Sequence, residues 1–149
     1  MKKIMLFLFI VLPIITLNSM AFADQDPNDT RTAKGKVSPL EVEGAATITA
    51  QEAKALFDRA VIFIDVRKDS DWDNSRIPEA THIELKKAFT EESLGKVIAH
   101  GDEVVFYCNG IKCLRSSIAS EKAVGWGYEK VYYFRKGLPA WQKEGYPVE

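Results

Sequence analysis

Both cysteines of this 149-residue chain stand in one short stretch, Cys108-Asn109-Gly110-Ile111-Lys112-Cys113-Leu114-Arg115-Ser116. The residues before it, Val104-Val105-Phe106-Tyr107, are apolar, β-branched and aromatic, as a buried strand requires, and a helical pattern opens after it with basic and hydroxyl residues. A strand, loop and helix in that order aim the loop's N–H groups, and the positive end of the helix dipole, at whatever sits on the cysteine sulfur. A free thiol titrates near pH ~8.5, so a site that favours the anion turns Cys108 into a nucleophile at neutral pH. The backbone of Asn109, Gly110, Ile111, Lys112, Cys113 and Arg115, with the charges of Lys112 and Arg115, supplies the groups that would stabilise the thiolate and hold an anionic substrate.

The elements that must position this loop follow from the hydrophobic pattern. Short strands are expected at 46–48, 61–66, 81–84, 103–107 and 131–134. Helices are expected at 50–59, 69–74, 90–99, 114–125 and 138–144, the first opened by a capping box between Thr49 and Glu52 and the last carrying Pro139 near its start. The second strand, Val61-Ile62-Phe63-Ile64-Asp65-Val66, is continuous in apolar character apart from its aspartate, which suits a strand covered on both faces. Strands alternating with helices give an α/β domain, a parallel sheet flanked by helices on both faces. Asp65, Arg67 and the Cys108 loop then share the C-terminal edge of the sheet, where open parallel sheets bind ligands. Asp65 and Arg67 read as an ion-paired scaffold for the adjacent turns, and Trp72, Trp126 and Trp141 as core or lid residues.

Bulk properties narrow the partners. A net charge of -1 without a long basic run argues against a nucleic-acid partner, and 46% hydrophobic with 28% charged residues describes one globular domain. Lys2 and Lys3, the apolar stretch 4–17 and the small-x-small signal Ala21-Phe22-Ala23 predict a secretory signal peptide over residues 1–23, cut after Ala23. Pro13 and the shortness of the apolar run disfavour a spanning helix, which needs ~20 residues, so no membrane contact is expected after cleavage. The expected location is periplasmic or secreted, in an oxidising compartment that permits a disulfide. Residues 24–45 lack apolar periodicity and are expected to form a flexible leader, with 37–42 able to lie on the domain surface. The domain itself is expected to run over 46–149. Metal binding is not expected, because only His82 and His100 could join the cysteines and neither has a zinc-site spacing, and no cofactor is implied.

With these residues in hand, the domain resembles the rhodanese family of single-domain sulfurtransferases. The resemblance rests on Phe63-Ile64-Asp65-Val66-Arg67, Trp72, Ile77-Pro78-x-Ala80, the strand ending at Cys108, and Phe134-Arg135-Lys136-Gly137-Leu138-Pro139-Ala140-Trp141 followed by Gly145-Tyr146-Pro147-Val148. It implies a single rhodanese-like domain with a five-stranded parallel sheet, and Cys108 as the residue that accepts a sulfane sulfur. Two departures stand out. Ser75-Arg76-Ile77-Pro78-Glu79-Ala80 replaces the frequent Gly-His-Ile-Pro-Gly-Ala, and Cys113 occupies the loop position where the family often has arginine, with Arg115-Ser116 two residues later. The pattern Cys-Asn-Gly-x-x-Cys-x-Arg-Ser is similar to that of an exported bacterial subgroup.

The resemblance implies a sulfurtransferase in which the Cys108 thiolate takes the outer sulfur of a donor such as thiosulfate and passes it, as a persulfide, to a thiol or cyanide-like acceptor or to a protein sulfur acceptor. For Cys113 three readings stand side by side: a resolving thiol that displaces reduced sulfur from the Cys108 persulfide, one half of a redox couple that masks the nucleophile, or a small side chain packed at the helix start. Two alternatives accompany the enzyme reading. One is a non-catalytic sulfur carrier or thiol/disulfide module using Cys108 and Cys113. The other is an oxyanion enzyme of the phosphatase or arsenate reductase type, disfavoured because those loops usually place five residues between cysteine and arginine whereas positions 109–114 number six here.

Overall fold

The computed structural model describes residues 37–149; the expected signal peptide and the leader up to residue 36 lie outside the described residues. Five strands, β1 (Ala45–Thr47), β2 (Ile62–Asp65), β3 (Thr81–His82), β4 (Glu103–Tyr107) and β5 (Lys130–Phe134), form one sheet in the order β1-β5-β4-β2-β3, with every pair parallel. The helices are α1 (Ala50–Asp58), α2 (Asp69–Asn74), α3 (Glu91–Gly95), α4 (Arg115–Gly125) and α5 (Gly137–Lys143). The register sets Asp65 beside Tyr107 and Tyr107 beside Phe134, so β2, β4 and β5 end level with one another.

The period-2 geometry of a strand divides β4 between two cores. Val104 and Phe106 pack with Ile64, Val131, Leu94 and Ile98 and with Ala119 and Ala123 of α4, whereas Val105 and Tyr107 pack with Phe63, Phe134, Leu56 of α1 and Trp141 of α5. Cys108 continues the first series and joins the α4-side core. The direction of the Cys108 side chain is therefore set by the parity of the strand that delivers it.

Local chemistry accounts for the element ends. Thr49 and Glu52 make the expected capping box, the Thr49 hydroxyl accepting from the Glu52 N–H at 3.2 Å and the Glu52 carboxylate from the Thr49 N–H at 2.7 Å. The helix expected over 90–99 is shorter: Thr90 and Ser93 cap α3, Gly95 ends it, and the β-branched pair Val97-Ile98 continues as a turn whose N–H groups both reach the Leu94 carbonyl. The strand expected over 81–84 stops at His82, because its one partner β2 ends at Asp65, and this frees Glu84 to turn toward α4. Residues 37–44, assigned to the leader from sequence, are laid against the domain from Val37 onward, Ser38 being buried and Val42 bridging to Ala45. Hydrophobic periodicity does not report this, since the segment is held by main-chain hydrogen bonds at Ser38 and Pro39 more than by an apolar stripe.

One departure from the family pattern has a conformational consequence. Glu79, where the related motif has glycine, sits at φ 60°, a left-handed conformation that costs a residue with a Cβ roughly 1–2 kcal/mol. After allowing for glycine's greater unfolded-state entropy, Glu79→Gly is expected to stabilise the protein by about 0.5 kcal/mol, read as a raised urea midpoint with unchanged m-value. A lowered midpoint would contradict the reading of this turn as strained.

Candidate functional site

Cys108 is the first residue past the central strand β4 and is fully buried, while Cys113, five positions on, is partly buried against the same core. The two sulfurs are joined in a disulfide with the Cα atoms 6.3 Å apart. That separation lies within the ordinary disulfide range of ~4.4–6.8 Å. The loop between them turns at Gly110, whose φ of 90° suits glycine, and the Gly110 carbonyl accepts from the Cys113 N–H at 2.9 Å. The Cys113 N–H, expected from sequence to face the sulfur, is thus spent inside the loop.

Each flank of the loop is tied to a different element. Asn109 is exposed, yet its side chain bridges two partners: Oδ1 accepts from Nη1 of Arg67 at 3.2 Å and Nδ2 donates to Asp71 at 2.9 Å. Arg67 is buried and grips Asp65 through Nε and Nη2, at 2.9 and 2.6 Å, while Nη2 also donates to the Ser75 carbonyl at 2.6 Å. Burial works against the Arg67 charge, but the Asp65 carboxylate outweighs it and holds the guanidinium above its usual range. The expected Asp65–Arg67 scaffold is present, and it extends through Asn109 to the loop. Nearby, the Tyr107 hydroxyl accepts from the Ile77 N–H at 3.3 Å, and burial followed by the Asp65 charge pushes its titration upward.

The middle and far end are held as well. The Ile111 carbonyl accepts from the Ser38 N–H at 2.8 Å, and Arg135, buried beyond β5, donates to the Ser38 and Pro39 carbonyls at 3.1 and 3.0 Å, so residues 38–39 form a strap between the loop and the sheet edge. The Cys108 carbonyl accepts from the Leu138 N–H at 3.0 Å. A Cβ on Gly137 would run into that same carbonyl, and one on Gly110 would come within 3.2 Å of the Lys136 carbonyl, so the two glycines let the β4 and β5 turns meet. Arg115, a candidate substrate ligand, places Nη1 on the Glu84 carboxylate and 3.4 Å from the Val66 carbonyl. Lys112 is exposed at the loop tip.

Sequence reasoning located Cys108, Cys113 and the loop but missed Glu84, Ser38, Arg135 and the side-chain role of Asn109. The partners of Ser38 and Arg135 are set by tertiary contacts between positions 97 residues apart, which no local pattern carries.

The Arg115–Glu84 pair carries a pH dependence of known sign. Burial tends to raise the Glu84 carboxyl, yet the Arg115 hydrogen bond and charge prevail and hold it below the usual carboxylate range. A depressed folded-state pKa contributes stability that is complete above the unfolded value, near ~4.3, and is lost as pH falls through the lower folded value. Glu84→Gln, which leaves the Arg115 charge without its counterion, is expected to cost about 2 kcal/mol in urea denaturation at pH ~7, less than a fully buried pair because Arg115 keeps some solvent. The gap between wild type and variant should narrow at pH ~3; a gap that widens on acidification would contradict this assignment.

Comparison with known proteins agrees with this architecture. The family model of the Rhodanese-like domain matches residues 49–144. A tRNA uridine(34) hydroxylase from Buchnera aphidicola is 35% identical over 107 residues, which are 62% of this chain and 31% of that protein; the chain thus spans about a third of the curated relative it matches. Among solved structures, a protein from Bacillus halodurans superimposes with a TM-score of 0.62 at 23% identity, covering 70% of this chain and 77% of the other. The polysulfide-sulfur transferase homodimer of Wolinella succinogenes gives a TM-score of 0.57 at 20% identity, covering 71% and 79%. Those two likenesses concern the fold.

Proposed function

The chain belongs to the rhodanese-like domain family, and on that footing we propose that it is a sulfurtransferase that carries a sulfane sulfur as a persulfide on Cys108. The observation that supports this most is the placement of Cys108, buried one residue past the central strand and followed by a short loop that leads into the N-terminus of α4. There the helix dipole and loop N–H groups favour a thiolate and a nearby dianion over their protonated forms. In the reduced protein the Cys108 thiolate attacks the outer sulfur of a donor such as thiosulfate; the S–S bond of the donor breaks, sulfite leaves with the electron pair, and Cys108 keeps the sulfur as a persulfide. Little proton movement is required, so Asp65 has no acid–base duty and serves through Arg67 to fix Asn109 beside the nucleophile.

The disulfide favours a second reading, a thiol/disulfide module in which Cys108 and Cys113 exchange electrons without carrying sulfur. The oxyanion-enzyme reading has less support, because Arg115, the arginine it requires, lends Nη1 to Glu84 and the Val66 carbonyl. Thiocyanate formation from thiosulfate and cyanide by the pre-reduced protein separates the first two. Wild type is expected to turn over, and Cys108→Ser to fall to the uncatalysed background. Turnover that survives in Cys108→Ser would refute the nucleophile, and a wild type that exchanges disulfides but never yields thiocyanate would favour the redox module.

A further inference from the structure

The Cys108–Cys113 disulfide is more than a masked nucleophile, and the unequal burial of its two residues gives it a direction. We infer that Cys113 resolves the Cys108 persulfide with release of hydrosulfide, and that the acceptor completing the cycle is a dithiol that attacks at Cys113. This rests on the sulfurtransferase reading and names the acceptor class for the same site.

The reach needed is already made. Cys113 Sγ is bonded to Cys108 Sγ with the loop pinned on either side, at Asn109 by Arg67 and Asp71, at Ile111 by Ser38 and at Arg115 by Glu84. A thiolate on Cys113 therefore has the inner sulfur of a Cys108 persulfide as its nearest electrophile. In that step the Cys113–Cys108 S–S bond forms, the bond between Cys108 Sγ and the outer sulfur breaks, and the outer sulfur, which carries the proton of the protonated persulfide, leaves with the electron pair as hydrosulfide. The sulfane sulfur is reduced by two electrons and the cysteine pair is oxidised to the disulfide.

The protein must then be reduced before it can turn over again. Cys108 is fully buried, whereas Cys113 is only partly so, and an external thiolate therefore meets the Cys113 sulfur. Attack there forms a mixed disulfide on Cys113 and expels Cys108 as the thiolate, the leaving group that the loop and helix terminus favour. A monothiol stalls at this point, since the adjacent Cys108 thiolate re-attacks Cys113 and expels it. A dithiol escapes that reversal: its second thiol closes on its own mixed-disulfide sulfur intramolecularly, leaving as a cyclic disulfide and restoring Cys113 as a thiol.

The test has a single-turnover arm and an exchange arm. Reduced wild type and Cys113→Ser, freed of reductant, are treated with thiosulfate and followed by intact mass and hydrosulfide assay. The wild type is expected to release one hydrosulfide per chain and finish two hydrogens lighter than the dithiol form. Cys113→Ser is expected to hold the mass of one extra sulfur with a lifetime longer by about tenfold or more, the scale of an intramolecular advantage. Equal lifetimes would overturn the resolving role while leaving persulfide formation intact; a failure of both proteins to gain sulfur would overturn the sulfurtransferase reading and this inference with it. In the second arm, oxidised wild type meets limiting 2-mercaptoethanol, is alkylated, and is cut with trypsin after Lys112, which separates the two cysteines. The mercaptoethanol adduct is expected on the Cys113 peptide and the alkyl group on Cys108, and the reverse pattern would overturn the direction of attack. At equal thiol concentration dithiothreitol should support faster hydrosulfide turnover than 2-mercaptoethanol; equal rates would overturn the dithiol requirement.

Discussion

Arg67 is buried at the end of β2 with its donors divided among the Asp65 carboxylate, the Ser75 carbonyl and the side chain of Asn109. A guanidinium in that position cannot shed its charge and has little water to turn to, so the elements around it are constrained to keep offering acceptors. The result is that the end of β2, the residue after α2 and the first residue beyond Cys108 are fixed relative to one another by one side chain. The Cys108–Cys113 loop inherits its position from these contacts, and Asp65, buried in the same place, is held for the same reason.

The remaining supports follow a common logic. The loop lies between β4 and α4, outside any helix or strand, and is braced from outside by groups that bind its carbonyls and side chains. Ser38 takes the Ile111 carbonyl, Leu138 takes the Cys108 carbonyl, and Glu84 holds Arg115 where the loop becomes α4. Gly110 and Gly137 supply the close backbone approach that lets these contacts coexist. Arg135 extends the bracing to residues 38–39, which makes a stretch ahead of the first strand part of the wall of the site.

The sheet, the order of its helices and the position of Cys108 were legible because they rest on local pattern: the apolar run 104–107, the Thr49–Glu52 box, the uninterrupted 61–66 stretch. The parity of β4 was equally readable, since Val104, Phe106 and Cys108 must share a face once the strand is assigned. What the sequence withheld were contacts across distance. Nothing near Asn109 says that its side chain will reach both Arg67 and Asp71, and nothing near Arg115 says that β3 will stop early enough to bring Glu84 under it. The main-chain hydrogen bonds by which residues 38–39 meet a buried arginine likewise leave no trace in hydrophobic periodicity. Glu79 shows the converse: a residue with a Cβ stands where the family motif often has glycine, and the backbone there adopts the left-handed conformation that glycine would take at less cost.

Joining Cys108 to a second cysteine five residues away sets this loop apart from one built around a single cysteine: the first covalent partner within reach of Cys108 is part of the same chain. A crystal structure of Cys113→Ser after brief exposure to thiosulfate is the most direct test of Cys108 Sγ as the atom that takes the sulfur in the proposed reaction. One additional sulfur bonded to Cys108 Sγ within the 108–113 loop is the expected result. Full-occupancy Cys108 with a bare Sγ, in crystals that turn over thiosulfate, would contradict it.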